Sequence, residues 1–414
     1  SLRTQLILFS FGLLAYFMIA YVLDFYNIQR ISGRRFIISQ SVYVTGIFVF
    51  STFLFTVLLY DASFWRRPLL AFLVLTPAEI ILWRVLIGRV FKIIPVVRNV
   101  LYLYDDQTEQ YLKKDIEVIN GLDMRTFYKV KLTRSISKYA ATKKKSFLDA
   151  AEKVDTWIIN TKNYNNFPRD LENALIKSTI TGHEVITFTT FYENIYEALP
   201  IRSYNDGFYE VLQLKNKRIR YLQKLFSFFI NFGLSLFVGL LFIMVVPFVW
   251  FFNLFLNRGP LFYTQKRVGQ YGNEFKIYKF RSMVVNAEEG GAKMATANDQ
   301  RITPFGKFLR IFRLDELPQV ISIIKGDMQF IGPRPERRVF VNQLKEMEPF
   351  YNVRHLIKPG ITGWAQVKYK YGENLEDSIR KLEYDLYYIK NQSTSLDLRI
   401  IFKTITTVLF SRGI

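Results

Sequence analysis

Residues 225–256 read LFSFFINFGLSLFVGLLFIMVVPFVWFFNLFL, a run without a single charge. It exceeds the ~20 residues that an α-helix needs to cross bilayer hydrocarbon. It nonetheless contains Asn231, Gly233, Ser235, Gly239 and, well inside, Pro247, which removes a helix hydrogen bond and favours a break. Basic residues flank both ends: Lys215, Lys217, Arg218, Arg220 and Lys224 before it, and Arg258, Lys266 and Arg267 after it. If the positive-inside rule holds for both flanks, both lie on the cytoplasmic face. The run then enters one leaflet, breaks at Pro247 and returns. An ordinary spanning helix with a proline kink is the alternative.

Upstream lie three more apolar runs, Leu6–Phe25, Ile37–Tyr60 and Leu69–Ile94, so residues 1–96 are expected to be transmembrane helices. Arg30, Arg34 and Arg35 follow the first run, and Arg89, Lys92 and Arg98 close the third, which puts everything after the third helix in the cytoplasm. Ser1 then faces outwards, unless a further helix precedes it. From 97 to 214 the pattern is that of a small α/β domain with a parallel sheet. Strands are expected over Asn99–Tyr104, Thr126–Leu132, Thr156–Asn160 and Glu184–Thr189, with a helix over Asn166–Lys177. The turn after the first strand, Tyr104-Asp105-Asp106-Gln107, has no glycine and two acids, so this Rossmann-like unit is degenerate and no dinucleotide is expected on it.

The chain has 414 residues, half of them hydrophobic, with 56 basic and 35 acidic side chains and a net charge of +21. Such an excess favours anionic partners, and beside apolar spans these are membrane lipids and phosphates rather than nucleic acid, for which no groove-entering motif is present. There is no cysteine and only His183 and His355, which excludes disulfides, thiolate chemistry and a His-rich metal site. A hard cation held by carboxylates and phosphates, Mg2+ by preference, is the metal such a chain would use.

Four blocks after Gly259 carry chemistry. In the first, residues 259–283, cations alternate with aromatics, and Lys279 and Arg281 are candidates to neutralise a lipid phosphate or a diphosphate. A basic face on lipid headgroups is the plainer alternative. The second, 309–319, holds Asp315 and Glu316 beside Arg310 and Arg313, close enough to keep both carboxylates ionised. An ionised aspartate beside bound phosphates can attack phosphorus and form an acyl phosphate. In the third, 325–336, Pro333 and Pro335 stiffen the backbone on either side of Arg334, which suits a phosphate clamp or, equally, a rigid turn. The fourth, 358–367, reads as a glycine-tightened turn into a short strand with a structural role.

In order and spacing, these blocks resemble the bacterial sugar transferase family, the monotopic polyprenyl-phosphate phosphoglycosyl transferases, over roughly Lys217–Leu409. Together with the N-terminal helices and the degenerate α/β domain they look like the long-form members that initiate exopolysaccharide, capsule or O-antigen synthesis. The resemblance implies that residues 215–414 form the catalytic domain, lying on the cytoplasmic face of the bacterial inner membrane, with 225–256 as its re-entrant helix broken at Pro247. It implies that Asp315 attacks the β-phosphate of a UDP-sugar, releases UMP and passes the phosphosugar to undecaprenyl phosphate. Glu316 orients the pair and shares Mg2+ with it, while Pro333, Arg334 and Pro335 contact phosphate or uridine. Long-form members often pair through their accessory parts, so a homodimer is among the expectations. Ser322, Gln329 and Lys368-Tyr369-Lys370 depart from the frequent residues, none of them at the acid pair. Leu396–Leu409, apolar but carrying Arg399 and Lys403, reads as an amphipathic helix at headgroup depth. A non-catalytic membrane scaffold that binds anionic lipid is the alternative function.

Overall fold

The computed structural model describes residues 97–120, 128–136, 153–161, 167–201, 217–287, 299–369 and 374–409, with isolated positions elsewhere. The three apolar runs expected before residue 97 lie outside the described residues. The chain divides into two compact units, one ending at Tyr192 and one beginning at Glu193.

The first unit is built on four parallel strands: β1 (Arg98–Tyr104), β2 (Tyr128–Ser135), β3 (Thr156–Asn160) and β4 (Glu184–Thr187), in the order β2-β1-β3-β4. β1 and β3 are central and read as unbroken apolar runs because both their faces are covered, and Val100–Leu103 and Thr156–Ile158 are almost fully buried. The edge strand β2 alternates instead, with Lys129, Lys131 and Thr133 exposed. The helix Arg169–Ile180 starts behind Pro168, which has no amide hydrogen to lose. Asp105, after β1, is consumed locally. Its carboxylate accepts from the Thr108 amide at 2.8 Å and from Thr161 Oγ1 at 2.7 Å, and Thr108 Oγ1 donates to the Asn160 carbonyl at 2.8 Å. These bonds tie together the carboxyl ends of β1 and β3, where such sheets hold their ligands.

The second unit contains a continuous helix, Lys217–Leu256, with Pro247 inside it and no interruption there. The uncharged stretch Leu225–Leu256 is long and apolar enough to cross a membrane, and most of its side chains are exposed. The antiparallel hairpin β5 (Phe262–Val268) and β6 (Glu274–Phe280) follows. Thr303 caps the helix Pro304–Ile311 by accepting from the Gly306 amide, and Pro304 occupies the first turn. A 3-10 turn, Leu314–Gln319, leads into the short helix Val320–Ile324, and β7 (Gln329–Ile331) pairs in parallel with β8 (Gly360–Thr362). The helices Arg338–Met347, Leu375–Asn391 and Thr394–Leu409 close the core.

Residues from before the apolar helix complete this unit. Leu199 and Ile201 are buried with Val341, Leu344, Leu382 and Leu386, and the Leu199 amide donates to the Glu383 carbonyl. Glu193 pairs with Lys390, and Glu197 with Lys368 and Arg399. The charges of the last helix therefore do not simply face outwards as its pattern suggests. Arg399 and Lys403 each lie 5.0 Å from the ring centre of the fully buried Trp364, where the ring quadrupole attracts them.

Asp397 in the same helix is buried and accepts from the Tyr388 hydroxyl at 2.7 Å, and burial raises its carboxyl to about 6. Between about pH 4 and that value the unfolded chain has released this proton while the folded chain keeps it, so Asp397 withdraws stability as pH rises. Asp397→Asn is expected to gain on the order of 2–3 kcal/mol relative to wild type across that window. Thermal unfolding in detergent at pH 4 and pH 7 checks this, and an unchanged difference between the two proteins would refute it.

Candidate active site

Arg313 adopts a left-handed backbone, φ 55°, between the helix Pro304–Ile311 and the 3-10 turn. That reversal turns Asp315 inwards and sets Glu316 beside it. Glu316 is the centre of a charge cluster. Arg334 reaches Oε1 at 2.5 Å and Oε2 at 3.5 Å, Lys279 Nζ reaches Oε1 at 3.3 Å, and Arg313 stands 4.0 Å away. Burial alone would raise this carboxyl, but Arg334, Lys279 and Arg313 outweigh it and hold Glu316 well below the usual carboxylate range.

Asp315 has the opposite balance. It is buried, and Oδ1 has no hydrogen-bond partner among the described residues. Burial raises its carboxyl, the neighbouring charge of Glu316 raises it further, and Lys279, Arg310 and Arg313 only partly compensate. The flanking arginines were expected to act on both carboxylates; they hold Glu316 far down, whereas Asp315 stays above the usual carboxylate value because burial and the Glu316 charge outweigh them. The two acids thus differ sharply, one caged by cations and one with a bare oxygen. Pairs of carboxyls driven apart in this way can divide roles in catalysis.

Two strand segments and one turn supply the cage, Arg313 coming from the turn. Lys279 comes from β6. Arg334 leaves β7 between Pro333 and Pro335, with its guanidinium also 3.4 Å from the Ile361 carbonyl of β8. The Pro333 carbonyl accepts from the Gly360 amide at 2.9 Å and that of Pro335 from Arg267 at 3.3 Å, so both proline carbonyls are tethered. β7 and β8 meet backbone to backbone. A Cβ on Gly360 would sit 2.2 Å from the Gly332 nitrogen, and one on Gly363 would sit 2.2 Å from the Gly332 oxygen. The glycines of the fourth block are therefore needed for close approach.

Two expected residues lie apart from the cage. Arg281 donates through Nε to the Pro260 carbonyl at 2.8 Å, through NH1 to the Met283 carbonyl at 3.2 Å and through NH2 to the Asn257 carbonyl. Main chain occupies this guanidinium, which fastens the end of the apolar helix instead of offering itself to a phosphate. Arg310 donates to Ser282 Oγ at 2.9 Å and acts on Asp315 through its charge.

Sequence reasoning missed the layer behind Arg334. Arg354, buried, donates to the Arg334 carbonyl at 2.9 Å, to Asp385 Oδ2 at 2.8 Å and to the Tyr351 hydroxyl. Asp385 falls on the buried face of its helix with Ile379, Leu382, Leu386 and Ile389, and a charge on an apolar stripe is the signal by which it could have been found. No group of three acidic or histidine side chains able to hold a metal occurs among the described residues.

A largely buried acid pair ringed by ammonium and guanidinium groups thus follows an apolar helix long enough to cross a membrane. A model of the bacterial sugar transferase family matches residues 222–411. The UDP-N-acetylgalactosamine-undecaprenyl-phosphate N-acetylgalactosaminephosphotransferase of Aeromonas hydrophila is 51% identical over 157 residues, 38% of this chain and 37% of that protein. The UDP-glucose:undecaprenyl-phosphate glucose-1-phosphate transferase of Xanthomonas campestris pv. campestris is 46% identical, over 37% of this chain and 32% of that protein. The uncharacterized sugar transferase EpsL of Bacillus subtilis (strain 168) is 38% identical, over 37% of this chain and 73% of that protein. The chain belongs to the bacterial sugar transferase family. Its match spans only about a third of the first two relatives.

The backbone contact behind Arg334 is testable. Gly360→Ala forces β7 and β8 apart, and is expected to cost about 1–3 kcal/mol, as overpacking does, and to abolish activity by displacing Arg334. Gly239→Ala, where a Cβ meets nothing within 4 Å, is the control and should unfold and turn over like wild type. Equal behaviour of the two variants would refute the assignment.

Proposed function

We propose that this chain transfers a sugar-1-phosphate from a UDP-sugar to undecaprenyl phosphate, releasing UMP, through a phosphosugar ester of Asp315. The unequal acid pair carries this reading: a nucleophile needs a free oxygen, and only Asp315 has one. Oδ1 attacks the β-phosphorus of the donor as the bond from that phosphorus to the bridging oxygen breaks. UMP leaves with that oxygen and its electron pair. An oxygen of the lipid phosphate then attacks the same phosphorus, releasing the Asp315 carboxylate and forming the lipid-linked diphosphosugar. Glu316 holds Lys279 and Arg334 where their charges meet the donor phosphates, and Arg313 adds a third. Pro333 and Pro335 keep Arg334 in place.

Both oxygens of Glu316 are engaged by cations, so the Asp315 carboxylate is the group that would hold a hard cation, through the oxygen not used in attack and with phosphate and water as the other ligands. Mg2+ at that oxygen would neutralise diphosphate charge. Relatives bear names for N-acetylgalactosamine, glucose and galactose phosphate transfer, so a UDP-sugar is the donor class to which the reading commits.

We place the reaction at the cytoplasmic face of the inner membrane, as the first membrane step of exopolysaccharide, capsule or O-antigen synthesis. The Leu225–Leu256 run is read as re-entrant, with a bend at Pro247 in place of the expected break, since the helix is continuous there. Ile230, Leu234 and Val238 pack beside Phe330 and Ile400, while Phe242, Val246 and Phe252 pack beside Phe280, Phe305 and Leu309. Asn231 accepts from the Phe330 amide at 2.7 Å. A helix crossing the whole bilayer would carry one of these ends ~30 Å away from the unit that both touch. The unit ending at Tyr192 is read as a Rossmann-like domain without a dinucleotide, because Asp105 fills its crevice.

The test is UMP release from a panel of UDP-sugars with undecaprenyl phosphate. Asp315→Asn is expected to abolish release, and Glu316→Gln to lower it by on the order of a hundredfold, the effect of losing an electrostatic organiser. Full turnover by Asp315→Asn would favour the non-catalytic scaffold.

A further inference from the structure

The helix Pro304–Ile311 carries Phe305 and Phe308, and Phe312 follows directly. Phe251 and Phe252 of the apolar helix begin a ladder of rings that continues through them. Centroids are 5.4 Å apart from Phe251 to Phe252, 5.9 Å from Phe252 to Phe305, 6.2 Å from Phe305 to Phe308 and 5.0 Å from Phe308 to Phe312. Phe305 is buried and fixes the ladder to the core, whereas Phe308 and Phe312 are 40% and 55% exposed. An exposed apolar ring beside a charged site is unfavourable in water and calls for a partner. The ladder ends at Phe312, adjacent to Arg313 and three residues before Asp315, which limits the span to about 11 Å of chain.

We propose that Phe308 and Phe312 line a track that seats the proximal isoprenoid units of the polyprenyl-phosphate acceptor, delivering its phosphate to Asp315. The inference rests on the proposed transfer to such a lipid and adds the site where its chain lies. Two observations select this occupant over bulk bilayer. The ladder is continuous with the membrane-length helix and ends three residues before Asp315, so a chain lying along it brings its head to the acid pair, which bulk acyl tails do not do. Cations flank it at Lys307, Arg310 and Arg313, densest at the end near the acid pair, as an amphiphile with one anionic head requires. Isoprenoid methyl branches pack well on aromatic faces, and each covered ring leaves water.

The experiment separates the two half-reactions of the full chain in detergent and in vesicles of phosphatidylethanolamine and phosphatidylglycerol. Phe308→Ser and Phe312→Ser are each expected to raise the KM for undecaprenyl phosphate by about tenfold, the loss of one aromatic contact. With geranyl phosphate, too short to cover both rings, variants and wild type should differ far less. UMP release without acceptor and vesicle binding should stay unchanged. If the variants instead lose vesicle binding, with both acceptors affected alike, the rings serve bulk lipid and the track is wrong. If the KM for the long acceptor does not move, the track is also wrong, though the transfer reaction stands. Failure of wild type to release UMP from any UDP-sugar would remove the transfer reading itself, and the track with it.

Discussion

The second unit is organised around one largely buried anion. Glu316 cannot be held charged in a low-dielectric setting without several cations, and those cations come from separate parts of the chain: Lys279 from β6, Arg334 from the end of β7 and Arg313 from the turn before it. Satisfying that single carboxylate therefore fixes the hairpin, the β7–β8 pair and the acid-bearing turn relative to one another. The same bonds leave Asp315 under-compensated. A caged glutamate and a bare aspartate are two consequences of one arrangement.

The cage demands accuracy from its supports. Arg334 is positioned by backbone rather than by side-chain packing, through Gly332, Gly360 and Gly363, whose missing Cβ atoms allow β7 and β8 to touch. Behind it the Arg354–Asp385 pair grips the Arg334 carbonyl, so a second buried ion pair steadies the first. Burial raises Asp385 to about 6 in spite of Arg354, so desolvation offsets part of what the pair gains, while its bond to the Arg334 carbonyl fixes position. Arg281 works similarly at the membrane side, closing the end of the apolar helix onto the hairpin through three carbonyls.

Much of this was legible in the sequence. The four strands of the first unit follow from β-branched and aromatic runs between turn residues, and the ends that can be compared moved little: the second runs on to Ser135 and the fourth stops at Thr187, where Phe188 begins a helix. Lys279, Arg334 and the acid pair were found as blocks and are brought together by the fold. Three things were hidden. The partners of Arg281 are main-chain carbonyls, which carry no residue signature. The ionisation of Asp315 depends on burial, which adjacent arginines do not reveal. Leu199 and Glu197 complete the second unit from before the apolar helix, and neither belongs to a recognisable motif.

The division of labour between the two acids is tested most directly by mass spectrometry of the protein after incubation with a UDP-sugar and no lipid acceptor. The peptide containing Asp315 is expected to gain the mass of one phosphosugar, to lose it when undecaprenyl phosphate is added, and to gain nothing in the Asp315→Asn variant. A wild-type protein that turns over the donor while this peptide stays unmodified, or that carries the adduct on Glu316, would contradict the assignment of the nucleophile.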